Sequence, residues 1–527
     1  MKNKLQLSIL VLLFSQGMQM VSAQDSQVID IRSDDFNVLM GYQGNLEGSI
    51  KYSPLKNVAN AEKDNDVVYG FTDTNDKISW KVNVPEEAEY LVAIQHTGKK
   101  FHSAINGGVK PNCTIQLMVN GVMIEAELKG LTQYNEFTKV AGNRVWFKER
   151  LPLKKGENII VFHFSKISEE QVEAAEDELK NGTLKKSSNS IAIKDLVLVR
   201  PEIYSKMKER AKELKPDLSW MIEGKYGLFI HWSLLTYPLY GAEKAYKNFE
   251  WGVNNFDVEV FADMVEETGA SWVTFTTCHG GQYFPAPTKA LENVMPGRTT
   301  ERDLIAELAD ALNKRDIKLL LYYNMSPRGE VAAKLGIQET PEKWLEYLIN
   351  FAEEVSLRYR NKIAGWGYID SSVAAYVLNM PWEKYYRALK AGNSDAVVAI
   401  SSHWWAQYSP FNDLQTSDAG WSIGDPLDDR LFKDGGRYEG IQQHASFVLD
   451  GAWIPREPYN GVIRSDANAK EGPTFSEEEY IDYFKKMDAA NIPVTVNILI
   501  TQDVIKGQPF VNAKSVELLK KIKNKLK

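Results

Sequence analysis

Two short apolar runs in this chain end in groups that can do chemistry. Tyr226-Gly227-Leu228-Phe229-Ile230 runs into His231-Trp232, and Ile363-Ala364-Gly365-Trp366-Gly367-Tyr368-Ile369 ends in Asp370. His279 and His403 also follow apolar runs closely, and His444 lies further on. One histidine at a strand end is usually a satisfied polar group. Three at ends expected to share one face, with an acid among them, point to a pocket. A carboxylate placed there can attack an anomeric carbon and form a glycosyl-enzyme. A retaining glycosidase needs a second carboxyl group about 5–5.5 Å away, protonated for the leaving oxygen. Asp418 is the first candidate for that role and Glu439, in Tyr438-Glu439-Gly440, the second. Neither His-x-His nor His-Glu-x-x-His occurs, which disfavours a metal-dependent hydrolase; no cofactor is expected.

The elements that must position these groups alternate between helix and strand. Phe256 to Thr268 reads as an amphipathic helix ended by Gly269, followed by the strand Ser271 to Thr277. Thr300 to Lys314 is a helix with Thr300 and Asp303 at capping-box spacing, followed by the strand Ile317 to Tyr323. Pro341 to Arg360 leads to the strand ending at Asp370, and Trp382 to Ala391 to the strand Ala396 to Ser401. Ser476 and Glu479 cap a late helix before the strand Val494 to Ile500. This alternation predicts an α/β fold, a (β/α)8-like barrel over residues 220–527. No G-x-G-x-x-G follows an early strand, so a dinucleotide fold has no support.

Residues 24–200 read differently. Ile78 to Val84 alternates apolar and polar, and Asn120-Gly121 between two apolar triplets is a hairpin signal. Several short strands with regular turns predict an all-β sandwich, either carbohydrate-binding or structural. Glu169 to Asn189 reads as a polar insertion or loop, and 201–219 as a linking helix stopped by Lys215-Pro216.

The first 23 residues have the form of a signal peptide. Lys2 and Lys4 precede an apolar stretch from Leu5 to Phe14 that is too short to span a membrane, and Val21-Ser22-Ala23 offers a cleavage site. The expectation is an exported protein, periplasmic or secreted, with no membrane span once mature. The net charge of −8 argues against nucleic acid as a partner. Cys113 and Cys278 fall in different predicted domains, so a disulfide framework is not expected. Cys278, at a strand end, reads as an inert thiol rather than a nucleophile.

The barrel half resembles the α-L-fucosidases of glycoside hydrolase family 29, over about residues 220–527. The resemblance rests on Tyr226 to Trp232, Glu250-Trp251, Gly269-Ala270-Ser271-Trp272-Val273 with Thr276-Thr277-Cys278-His279, Arg302-Asp303-Leu304, Lys314-Arg315-Asp316-Ile317, Tyr368-Ile369-Asp370 and Val496-Asn497-Ile498. It implies Asp370 as nucleophile and Asp418 at the acid/base position. It also implies that His231, Glu250, Trp251, His279 and Tyr323 contact the sugar, and that His403 stands near a position often held by Arg. Cys278, Gly280 and Gly281 depart from the family's Lys, second His and acid, and Asp418 is one methylene shorter than the usual Glu. The implied function is a retaining exo-glycosidase, an α-L-fucosidase or close relative, with an oligosaccharide or glycoconjugate as substrate. The alternative, drawn from those departures, is a glycan-binding protein whose barrel has lost catalysis.

Overall fold

The structure is a computed structural model. It describes residues 28–526 except 54–66, 99–111, 129–141, 182–188, 233–248, 280, 326–333, 335–340, 371–378, 402–408, 417–422, 424, 434–437, 451–452, 454–456, 460–461, 465–471 and 503–508. The first 23 residues, read as a signal peptide from the sequence, lie outside the described residues, as do His403 and Asp418. Among the described residues no helix is long and apolar enough to cross a membrane.

A parallel sheet organises the C-terminal part. Its strands are β1 (Tyr226–Ile230), β2 (Trp272–Cys278), β3 (Lys318–Asn324), β4 (Gly365–Asp370), β5 (Val397–Ile400), β6 (Ala445–Val448) and β7 (Val494–Ile498), in the order β5-β4-β3-β2-β1-β7-β6. Every pairing is parallel. Helices α1 (Phe249–Asn254), α2 (Val258–Thr268), α3 (Leu304–Asn313), α4 (Pro341–Tyr359), α5 (Trp382–Leu389) and α6 (Glu477–Ala489) lie between the strands. Their caps explain their limits. Asp257 accepts from the Val260 N–H, and Gly269 ends α2 in the left-handed region at φ 79°. Ser476 and Glu479 form the expected capping box. Helix α3 departs from expectation: Asp303, not Thr300, is its cap, accepting from the Ala306 N–H, while the Thr300 hydroxyl donates to the Arg302 carbonyl.

Strand pleating divides the side chains into two sets. Tyr226, Leu228, Ile230, Leu319, Leu321, Tyr323 and Trp366 pack outward in one large core with the helices. Trp272, Leu320, Val397, Ala399 and Leu414 form a separate inner cluster near the strand starts. A Cβ on Gly227 would collide with the Trp272 indole, so the glycine makes room for this inner layer. From the edge strand β5 short contacts run on to Gln442, three residues before β6. The Asp413 N–H donates to Val398 O at 2.8 Å, the Gln442 N–H to Asp413 O at 2.9 Å and the Gln415 N–H to Gln442 O at 2.9 Å, with Leu414 and Gln442 in a parallel bridge.

The N-terminal part holds two sheets that share one core. One is built on Lys77–Val84, Gly156–Lys166, Thr114–Val119 and Val122–Glu127, the other on Gly142–Trp146, Ala88–Thr97 and Ala192–Val199. The Asn120-Gly121 turn has both residues at positive φ, 50° and 81°, and joins Val119 opposite Val122. The expected polar loop after Glu169 is instead a helix, Glu169–Asn181. It buries Gln171, Ala174, Ala175 and Glu178, spaced as one helical face. The Gln171 carboxamide accepts from the Ile191 N–H, and Glu178 takes the Ser190 hydroxyl at 2.8 Å.

Candidate active site

The C-terminal ends of β1 to β4 bring His231, His279, Asn324 and Asp370 together. In register, Asn324 lies opposite Asp370, and counting back by twos puts Tyr322 and Tyr368 on the same inner face. The Tyr322 hydroxyl donates to Asp370 Oδ2 at 2.6 Å, and Asn324 Nδ2 donates to the same oxygen at 2.8 Å. The Asp370 carbonyl accepts from the Met325 N–H at 3.0 Å. Burial and the adjacent Asp370 charge push the Tyr322 hydroxyl well above the usual tyrosine range, so it stays a protonated donor.

His231 sits 5.5 Å, ring to ring, from His279 and 5.2 Å from Tyr322. His279 stacks on Tyr322 at 5.7 Å. His231 is buried, and its Nδ1 has no hydrogen-bond partner among the described residues. Desolvation first, then the neighbouring His279, push its pKa down to about 3 against the opposing pull of Asp370. It is therefore a neutral imidazole at neutral pH. Phe229, Tyr322 and Tyr368 form an aromatic floor, and Trp453 closes against Phe229 and His231. A carboxylate with one oxygen held, imidazoles beside it and aromatic faces around it suit a polyhydroxylated ring with apolar C–H surfaces.

Other expected residues fall elsewhere. Tyr323 is a correction: it points to the outer face, stacks on Phe351 and donates to Gln282 Oε1 at 3.0 Å. Pleating reverses successive side chains, so Tyr322 holds the inward place. Glu439 is also corrected as an acid/base candidate. It pairs with Lys208 of the linking helix Pro201–Glu213 at 2.9 Å and precedes β6, at the opposite end of the strands from Asp370. Glu250 is exposed and Trp251 half-buried on α1, which is anchored through Phe249 on Trp232 and Tyr283. Cys278 is buried in the outer core, and burial raises its thiol far above the usual range. Tyr322, Asn324, Tyr368 and Trp453 were not singled out from sequence. Counting by twos from His231 and Asp370 would have found Phe229 and Tyr368; nothing local marks Trp453.

Residues 194–423 match the family model described as alpha-L-fucosidase. The matched segment includes His231, His279 and Asp370. The chain is similar to the tissue alpha-L-fucosidases of Macaca fascicularis and Homo sapiens, each 29% identical over 143 residues, covering 21% of this chain and 30% of the relative. The match thus spans under a third of those relatives' length. Among solved structures, an alpha-L-fucosidase of Bacteroides thetaiotaomicron is 18% identical with a TM-score of 0.40, covering 59% of this chain and 74% of that one. Alpha-L-fucosidase AlfC from Lactobacillus casei is 16% identical with a TM-score of 0.37, covering 58% and 96%. Superpositions at those scores are too loose to bear on the site.

Proposed function

We propose that the chain is an exported retaining exo-glycosidase acting on terminal α-L-fucosides or closely related sugars of glycans. The observation that carries the reading is the hold on Asp370, whose Oδ2 accepts from both Tyr322 and Asn324. Two donors on one oxygen favour the carboxylate and fix its plane for attack on the anomeric carbon. In the first step a carboxylate oxygen of Asp370 bonds to the anomeric carbon as the glycosidic C–O bond breaks, and the leaving oxygen takes a proton from the acid. In the second, water attacks that carbon, gives its proton back to the deprotonated acid and releases Asp370. His231 and His279, together with Glu250 and Trp251 at the rim, would bind sugar hydroxyls. Asp418 would be the acid/base, and His403 would line the same mouth.

A closed (β/α)8 barrel is part of this reading. The hydrogen bonds from Val398 through Asp413–Gln415 to Gln442 support an eighth strand position between β5 and β6. The sheet pair before the barrel is read as a sandwich domain over 24–200, and residues 1–23 as a signal peptide.

With Glu439 at the opposite end, proton donation rests on Asp418. If its short side chain cannot reach the leaving oxygen, the barrel binds glycans without turning them over. Hydrolysis of 4-nitrophenyl α-L-fucoside by the wild type, abolished in Asp370→Asn with the fold kept, is the expected result. Equal activity in the variant would remove Asp370 from the chemistry.

A further inference from the structure

Gln282 lies between the ends of β2 and β3 and is fully buried. Its Nε2 donates to the His279 carbonyl at 3.2 Å and to the Asn324 carbonyl at 2.9 Å. Its Oε1 accepts from the Tyr323 hydroxyl at 3.0 Å and from the Tyr347 hydroxyl at 3.5 Å. Its backbone N–H also donates to the His279 carbonyl, at 2.7 Å, with the residue held at φ 53°. The orientation of the amide is settled by chemistry. Carbonyl oxygens only accept, so the NH2 must face the two strand ends, and the tyrosines must donate to the oxygen. Burial pushes both hydroxyls above their usual range, so they remain protonated.

One carbonyl belongs to Asn324, which holds Asp370, and the other to His279, which packs on the Tyr322 that also holds it. His279 stacks on Tyr322, and Asn324 donates to Asp370 Oδ2. The sheet register slips between β2 and β3 here, with a shift between Thr276 and Cys278. Pairing resumes with Cys278 opposite Tyr323, and beyond that pair the Gln282 amide spans the two strand ends. We propose that Gln282 is a positioning residue: its amide ties the ends of β2 and β3 and thereby sets His279 and Asn324 around Asp370. Tyr323 and Tyr347 act through it, which gives Tyr323 a part in the site without sugar contact. The catalytic side of this inference rests on the glycosidase reading above.

The test compares the wild type with Gln282→Leu, which keeps volume and removes the amide, and with Gln282→Glu, whose carboxylate offers acceptors to two carbonyls. For 4-nitrophenyl α-L-fucoside, kcat should fall about 10–100-fold in both variants while KM stays within about threefold. The acid limb of the kcat profile should also move to higher pH, because loosening Asn324 weakens a bond that favours the ionised nucleophile. A merely structural glutamine would lower the melting temperature without moving that limb. Folded variants with wild-type kcat and an unmoved limb would overturn the proposal. Should Gln282→Leu not fold, Gln282→Met, unbranched and adaptable, is read the same way. If the wild type does not hydrolyse the fucoside, the glycosidase reading fails, and hydrogen exchange decides for Gln282. Simultaneous loss of protection at the ends of β2 and β3 in the variant supports the tie; protection kept at either end refutes it.

Discussion

Asp370 receives two side-chain donors on one oxygen, and both come from the neighbouring strand. Hydrogen bonds to a charged group are worth about 1.5–3 kcal/mol. Tyr322→Phe removes the shorter one and should lower kcat about 10–100-fold with a smaller change in KM, read from steady-state kinetics. Tyr323→Phe, one residue away, should stay within about fivefold of wild type, because that hydroxyl reaches the site only through Gln282. A larger loss for Tyr323 than for Tyr322 would invert the inner and outer faces of β3. His231 contributes as a neutral ring. With its pKa held at about 3, it should give no step in activity between pH 5 and 8. His231→Gln should lower activity by a constant factor across that range, checked by its pH–rate profile.

At the scale of elements, small residues on the inner face let large ones fill it. Gly227→Val would drive a side chain into the Trp272 indole. The expected cost is about 1–3 kcal/mol, seen as a lower midpoint in urea. Much of this layer was legible. Strand ends at His231 and Asp370, the caps at Gly269 and Ser476 and the Asn120-Gly121 hairpin are local signals with local causes. What was not legible depended on pairing between distant segments. Tyr323 came in through the family resemblance, while its strand's phase is set by Asn324 lying opposite Asp370, a register no window of sequence contains. Glu439 looked like an acid until Lys208, 231 residues away in the chain, claimed it. The helix Glu169–Asn181 was hidden because half of its buried face is polar, and Gln171 and Glu178 find partners in distant segments, at Phe71 and at Asn189–Ile191.

At the scale of the whole molecule, the N-terminal sheets are built onto the parallel-sheet part. Phe36, Val38, Val197 and Val199 share one core with Met207 and Ala211 of the linking helix and with the outer faces of the strands. The Val38 N–H donates to Asn379 Oδ1 at 2.9 Å, nine residues beyond Asp370. Residues 201–527 expressed alone would expose that apolar face and should aggregate, which light scattering would show. Stability should also depend on pH in a stated direction. Desolvation holds His231 at about 3 and His96 and His444 at about 4. The unfolded chain binds protons on them below about pH 6.5, so stability falls as pH drops from there towards 4, by up to about 1.4 kcal/mol per unit for each group. Asp35 works in the opposite sense: burial raises it to about 6, so its proton is held more tightly in the fold and offsets part of the loss between about 6 and 3.8. Calorimetry should show a lower melting temperature at pH 5 than at pH 7. His96→Leu, whose ring nitrogens lack partners in the N-terminal core, should shrink the difference.

The nucleophile is the centre of the account, and it can be tested without relying on the acid. A 2-fluorinated α-L-fucosyl fluoride carries a leaving group that needs no proton, and its fluorine slows release of a glycosyl-enzyme. The account predicts one covalent adduct by intact mass, mapping to the peptide that contains Asp370 and absent in Asp370→Asn. An adduct on another carboxylate, or none on the folded wild type, would contradict it.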